Sequence, residues 1–385
     1  MRDKIRGLLA VLLCLFVMNS HAVVVKNLYS TSVAVNSHDA QDRNKALGQA
    51  LEQVFIKVSG SRALTDLPEI QATLRRADRY LSTYSYIDNP DFIPDNDILP
   101  QTAEILDVEE IVEPDVDVEP VVADPAPNLP FLLQVSFRQS LVDDVLRSSG
   151  ASRWSDNRPV TLVWIVIDDP AGRRVPAEED QDMIQLIQQS ADERALPLIF
   201  PLYDLEDRAA LSLDSLWLTE QDKIAEASVR YAASGVLVGK MLGTSDGKWR
   251  SNWDYLSADP AFWEFECELL ADCMQPPVEA VADLLSARYG VVSNEGAANR
   301  LSIDVAGLAD FESYGSLLLY LQNLIAVREV IVNGFDGSTV HLELVLDGES
   351  AQLYELMALN KQLQYQDTGV LPEPTGRLYQ WLPGS

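Results

Sequence analysis

The stretch Val229–Leu256, reading VRYAASGVLVGKMLGTSDGKWRSNWDYL, restricts the possible folds of this chain more than any other part. A helix end runs into an apolar strand, then a Gly-bearing turn, then a second strand. In that second strand Trp249, Ser251, Trp253 and Tyr255 alternate with Lys248, Arg250, Asn252 and Asp254. A period of two puts the aromatic set on one face of a sheet and the charged set on the other. Pro260–Leu269 repeats the rule, with Trp263, Phe265, Cys267 and Leu269 inward and Glu264, Glu266 and Glu268 outward. Trp249, Trp253, Tyr255 and Trp263 are therefore expected to pack across strands as a core hairpin that needs no ligand. Gly235 and Gly239 in SGVLVGK superficially suggest a phosphate loop. Val236, Leu237 and Val238 between them make the run a strand, so the glycines read as close-packing positions.

The hairpin sits in a middle module, residues 159–290. PVTLVWIVI (Pro159–Ile167) is almost wholly apolar and reads as a central strand buried on both faces. Helices are expected at about Glu178–Arg194, within Leu216–Ala233, and at Pro276–Tyr289, with a short strand at Pro197–Pro201. Before it, residues 23–150 form a small module. Its pattern is a strand at Val23–Val35, a helix from Asp39 to the stop at Gly60, and a short helix at Glu69–Ala77. A strand at Tyr80–Ile87, a strand at Pro130–Phe137 and a helix at Gln139–Ser148 complete it. After it, residues 299–368 follow β-α-β-β-α-β, the ferredoxin-like order. There Val340, Leu342, Leu344 and Leu346 should face the helices, leaving Asp304, His341, Glu343 and Val345 on the open face. Residues 369–385, rich in Pro and Gly, read as a loose tail. The fold class expected is α+β: three α/β modules, with mixed sheets packed by helices.

Between Asp88 and Asn128 the character changes. Thirteen acidic residues and seven prolines occur there with no Lys or Arg, which reads as a disordered acidic insertion. At the other extreme, Arg2, Lys4 and Arg6 precede an apolar run from Gly7 to Met18, and Ser20-His21-Ala22 offers small residues for cleavage. Residues 1–22 are expected to be a secretory signal, leaving a mature chain with no transmembrane segment. Cys267 and Cys273 would then be the mature cysteines. They are either disulfide partners or a small core residue and a free thiol.

The net charge of −30 argues against nucleic acid as a partner. The acidic open face of the last module argues the same way against RNA. Catalytic signals are sparse. His38 reads as a solvated or capping residue at a helix start and His341 as an exposed strand residue; neither stands near a nucleophile. The cysteines and histidines lack metal-site spacing, and no metal or cofactor is expected. Asp168-Asp169 ends the central strand where α/β proteins often hold ligands, but Pro170, Ala171 and Gly172 make a turn the plainer reading.

Three stretches carry a family resemblance: VKNLYSTSVAV with RNKALGQALEQVFIKVSG (Arg43–Gly60), PVTLVWIVID (Pro159–Asp168), and YAASGVLVGKM with DGKWRSNW. In these the chain resembles exported proteobacterial proteins that carry the domain of unknown function 2066 (DUF2066). The middle module is similar to the α/β domain of the TolB N-terminal type and of lipoprotein activators of peptidoglycan synthases. The first is similar to a domain of flagellar and outer-membrane lipoproteins. The resemblance supplies no catalytic residues. It implies a periplasmic, non-enzymatic scaffold that binds other envelope proteins. The alternatives are a hydrolase using carboxylates near Asp168-Asp169, or a small-ligand sensor with a pocket between the middle and last modules.

Overall fold

The computed structural model of the 385-residue chain describes residues 22–93, 128–293, 299–366 and 377–382. The signal expected over residues 1–22 lies outside these, apart from Ala22. The fold is α+β, with several mixed sheets packed by helices.

The strand expected at Val23–Val35 is two strands in two sheets, β1 (Ala22–Val24) and β2 (Ser30–Val35). Asn27 separates them with a left-handed φ of 63°, a conformation that asparagine tolerates better than most residues. A helix α1 (Ala40–Ser59) buries Ala46, Leu47, Ala50, Leu51, Val54, Phe55 and Val58, and Gly60 ends it at φ 71°. That glycine is required twice over, since a Cβ there would stand 2.4 Å from the Trp154 ring and 2.7 Å from Ser286. Helix α2 (Pro68–Leu74), strands β3 (Leu81–Asp88) and β4 (Phe131–Phe137) and helix α3 (Gln139–Ser148) complete the unit around an antiparallel sheet of order β2-β4-β3. Because β3 and β4 are neighbours, the acidic segment joins two strands of one hairpin. Most of that segment lies outside the described residues; at its base Ile93 and Asn128 exchange hydrogen bonds of 3.0 and 2.6 Å.

Two short strands, β5 (Ser152–Arg153) and β6 (Asn157–Pro159), lead into β7 (Thr161–Asp169), with β6 pairing β1. Then follow β8 (Gly172–Arg174), α4 (Gln181–Glu193), β9 (Leu198–Ile199), and helices α5 (Leu205–Ala210), α6 (Leu213–Trp217) and α7 (Gln221–Ser228). Strands β10 (Gly235–Gly243), β11 (Trp249–Leu256) and β12 (Ala261–Cys267) precede helix α8 (Gln275–Tyr289). The sheet order is β12-β11-β10-β7-β8, with β9 also on β7. Strands β7 and β10 are parallel and the β10-β11-β12 meander is antiparallel. One face buries Val163, Ile165, Ile167, Leu237, Met241 and Trp253 with residues of α4 and α8. The other buries Leu162, Trp164, Val166, Val236 and Val238 with Leu216 and Ile224. Cover on both faces is why β7 reads as an unbroken apolar run.

The last unit comprises β13 (Val291–Val292), β14 (Asn299–Ala306), α9 (Phe311–Asn323), β15 (Val327–Asp336), β16 (Thr339–Leu346), α10 (Ser350–Asn360), β17 (Leu363–Tyr365) and β18 (Arg377–Trp381). The β-α-β-β-α-β order is present, but the sheet runs β15-β16-β14-β18-β17. The tail expected to be loose over 369–385 instead contributes β18, inserted parallel to β14 and between it and β17. Alternation explains it: Tyr379 and Trp381, 4% and 3% exposed, join the core of Ile303, Val305, Leu342 and Leu344. Val345, expected on the open face, is also buried. Its neighbours in register are Arg300 and Glu329, whose aliphatic stems shield such a position.

Candidate functional site

The aromatic hairpin is a packing device. Trp253 and Tyr255 are buried, while Trp249 and Trp263 are half-buried at the margin of the same core. Gly239 pairs with Trp253 across the strands, and a Cβ on it would lie 2.5 Å from that ring. A Cβ on Gly235 would meet the Tyr255 hydroxyl at 2.2 Å. The two glycines therefore give the rings a flat floor. Cys267, at the end of β12, is disulfide-bonded to Cys273 in the short 3₁₀ turn Leu270–Cys273 that leads to α8.

Asp168 and Asp169 close a hairpin with β8. Arg173 Nη2 donates to Asp168 Oδ2 at 2.8 Å, Arg174 Nε to Asp169 Oδ2 at 3.4 Å, and the Ala171 amide to Asp169 Oδ1 at 2.8 Å. Each carboxylate is thus held by the turn it belongs to. His38 stacks on Tyr86 with ring centroids 4.1 Å apart, and His341 Nδ1 lies 2.6 Å from Asp304 Oδ1 on the last sheet's open face. Glu343, on the same face, pairs with Arg300 at 2.8 Å. Among the described residues no group of three or more His, Cys, Asp or Glu is disposed to hold a metal ion. Nor is any helix among them long and apolar enough to cross a membrane.

Arginines that no motif announced tie the modules together. Arg158 is fully buried and stacks over Trp154 at 4.1 Å from the ring centroid. Its guanidinium donates to the carbonyls of Lys57 (2.5 Å), Arg194 (2.9 Å), Ala195 (3.0 Å) and Ser155 (3.0 Å). A cation there satisfies orphan carbonyls at the ends of α1 and α4 together. Burial pushes its pKa down to about 9, which still leaves it charged at neutral pH. Arg194, also buried, donates to the Gly60 carbonyl and Asp283 (2.5 Å each) and to Glu279. Arg62 reaches Glu279 at 2.9 Å and Glu193 at 2.6 Å. Burial alone would raise the Glu279 carboxyl; hydrogen bonding from Arg62 and the charge of Arg194 hold it below the usual range.

Among the clefts at the module junctions of the described residues, two are the largest. One, about 710 Å³, lies between the middle and last modules and is lined by Tyr255, Leu256, Arg288, Tyr289, Glu355 and Leu359. Its cation is already neutralised, since Arg288 pairs with Glu355 at 2.8 Å and Asp259 at 2.5 Å. The other, about 1650 Å³, lies between the first and last modules and is more polar.

Among the described residues the surface carries an aromatic cluster that the sequence reading missed. Phe311, at the start of α9, is 85% exposed, and Phe335, near the end of β15, is 60% exposed. Tyr314 bridges them, with ring centroids 6.0 Å from Phe311 and 5.3 Å from Phe335. Asp310, Glu312 and Asp336, next to Phe311 and Phe335 in sequence, are exposed. The signal was a pair of large aromatics at element ends, Phe311 opening α9 and Phe335 next to the turn after β15.

The profile of a domain of unknown function, DUF8605, matches residues 22–155. The match runs from β1 through the first module to Trp154 and Ser155. It overturns the resemblance to DUF2066, because the first stretch quoted for that family falls within a different profile. The match ends at residue 155 and does not bear on the middle module. The stretches that suggested the resemblance are folding patterns (a strand, an amphipathic helix with a glycine stop, a hairpin) that unrelated chains share. No curated protein matches the chain in sequence.

Proposed function

We propose that this protein is exported to the periplasm and acts there, without catalysis of its own, by binding another envelope protein through the aromatic cluster of its last module. The observation that carries the reading is the contact of Phe311, Tyr314 and Phe335 on the surface. Aromatic side chains cost little entropy to fix and dominate protein interfaces, whereas a lone exposed Phe would mean nothing. The exposed acids next to Phe311 and Phe335 in sequence favour a partner whose apolar pocket is edged by Lys or Arg. Export is supported by the leader-like residues from Arg2 to Ala22 and by the Cys267–Cys273 disulfide, which suits an oxidising compartment. The ion-pair junctions support a scaffold, because they hold the modules in fixed relation. A hydrolase centred on Asp168 and Asp169 is disfavoured by the arginines that occupy both carboxylates.

The test compares affinity capture from envelope extract by the wild type and by a Phe311→Ala/Phe335→Ala variant of equal thermal stability. The reading expects a discrete partner that the double variant loses. Identical capture by both would refute it.

A further inference from the structure

We propose that the cleft between the first and last modules is a binding site for a small oxyanion, a carboxylate or phosphate group, anchored by Arg153 with Arg147 at its mouth. This goes beyond the docking role assigned to the aromatic cluster and stands independently of it.

Arg153 lies on β5, which pairs with β13, and only 7% of its side chain is exposed. A guanidinium carries five donors and must spend them when desolvated. Among the described residues its single hydrogen bond is from Nη2 to Asp347 Oδ2, at 3.4 Å, and Nε has no partner. Asp347 is largely committed elsewhere: its Oδ1 accepts from both Nε (2.9 Å) and Nη2 of Arg328. The cleft therefore holds a buried cation whose hydrogen-bonded counter-charge is already shared, with the Asp143 carboxyl near enough to act on it electrostatically.

Two further donors in the same lining are buried and unpartnered, Trp154 Nε1 and Ser293 Oγ. Buried polar groups are rarely left unpaired, and three such donors lie on residues of one lining. Arg158, by contrast, spends its donors on main-chain carbonyls and is structural. Arg147 lies at the lining with 39% of its side chain exposed, its ion pair among the described residues being with Asp144, one turn earlier on α3. A second acid of the lining near these arginines, Asp143, accepts from the Tyr29 hydroxyl at 2.8 Å. Burial, with the neighbouring charge of Arg147, holds the Arg153 pKa down, and burial holds the Asp143 carboxyl up. An oxyanion between the two arginines would oppose the shift of Arg153 and add to that of Asp143. In a chain of net charge −30, a cleft with four cations (Lys26, Arg147, Arg153, Arg328) against three acids is a local exception. A planar guanidinium edge matches the two oxygens of a carboxylate or phosphate.

The experiment is calorimetric titration and thermal shift of the full exported chain with citrate and, separately, inorganic phosphate. Sodium chloride at matched ionic strength is the control. Saturable binding by at least one probe is expected, with Arg147→Gln weakening it fivefold or more and Arg153→Gln abolishing it. Citrate binding alone would identify a carboxylate site, and phosphate binding alone a phosphate site. If Arg153→Gln fails to fold, Arg153→Lys and Arg147→Gln decide, since both keep or spare the buried charge. No binding beyond the salt control, or binding untouched by the arginine variants, would overturn the proposal.

Discussion

Replacing Gly239 by Ala tests the packing of the middle module most sharply. The added Cβ would stand 2.5 Å from Cζ3 and 2.6 Å from Cη2 of Trp253, whose side chain is fully buried. An ordinary carbon contact needs about 3.5–4.0 Å, so the ring must retreat by about 1 Å into a close-packed core. Overpacking of this kind costs about 1–3 kcal/mol. Trp253→Ala costs about 3–5 kcal/mol through lost burial and the cavity left behind. It should fall near the lower end, because Trp253 Nε1 has no hydrogen-bond partner and its removal relieves a buried orphan donor. In the double variant the new methyl enters space the ring has vacated. The Gly239→Ala penalty should then vanish, giving a coupling of about 1–3 kcal/mol. Urea unfolding followed by circular dichroism gives the energies, and hydrogen exchange of β10 and β11 amides assigns them to this sheet. A Gly239→Ala variant within about 0.5 kcal/mol of wild type, or the same cost in both backgrounds, would refute the reasoning.

Other expectations concern the junctions. Arg158→Leu strands the carbonyls of Lys57, Arg194 and Ala195, and should cost at least about 3 kcal/mol in thermal or urea unfolding; an unchanged midpoint would contradict its role. Glu279 has a folded pKa below its ordinary 4.5, so its stabilisation is complete above that value and is lost as pH falls through the folded pKa. The stability gap between wild type and Glu279→Gln should accordingly shrink below about pH 4.5; a gap unchanged down to pH 3 would exclude the pairing with Arg62 and Arg194 as its source. Reducing Cys267–Cys273, which closes a loop of separation 6, should cost about 2 kcal/mol. Melting temperatures with and without reductant read it, and equal values would contradict it.

The aromatic meander was legible because period-two alternation survives in a strand with one polar face, as Trp249 to Tyr255 show. Gly235 and Gly239 were legible as strand glycines, but their reason appears only with the rings of Tyr255 and Trp253 across from them. The break at Asn27 was hidden because Val23–Val35 is apolar at both ends, and only the left-handed residue sends β1 to a different sheet. Strand β18 was masked by the Pro and Gly around it, although Tyr379 and Trp381 already alternate. Arg158 was illegible for a deeper reason. Its partners are main-chain carbonyls, which leave no mark in sequence. The cleft of Arg153 and the Phe311–Tyr314–Phe335 cluster likewise exist only after distant segments meet.

The most direct test of the docking role is a photo-crosslinking residue placed at Phe335 in cells, with a second at Glu69, exposed on the first module, as the comparison. The account predicts one discrete adduct to another envelope protein from position 335, lost when Phe311→Ala is added, and none of that mass from position 69. The same adducts from both positions, or an adduct at 335 that is indifferent to Phe311, would contradict it.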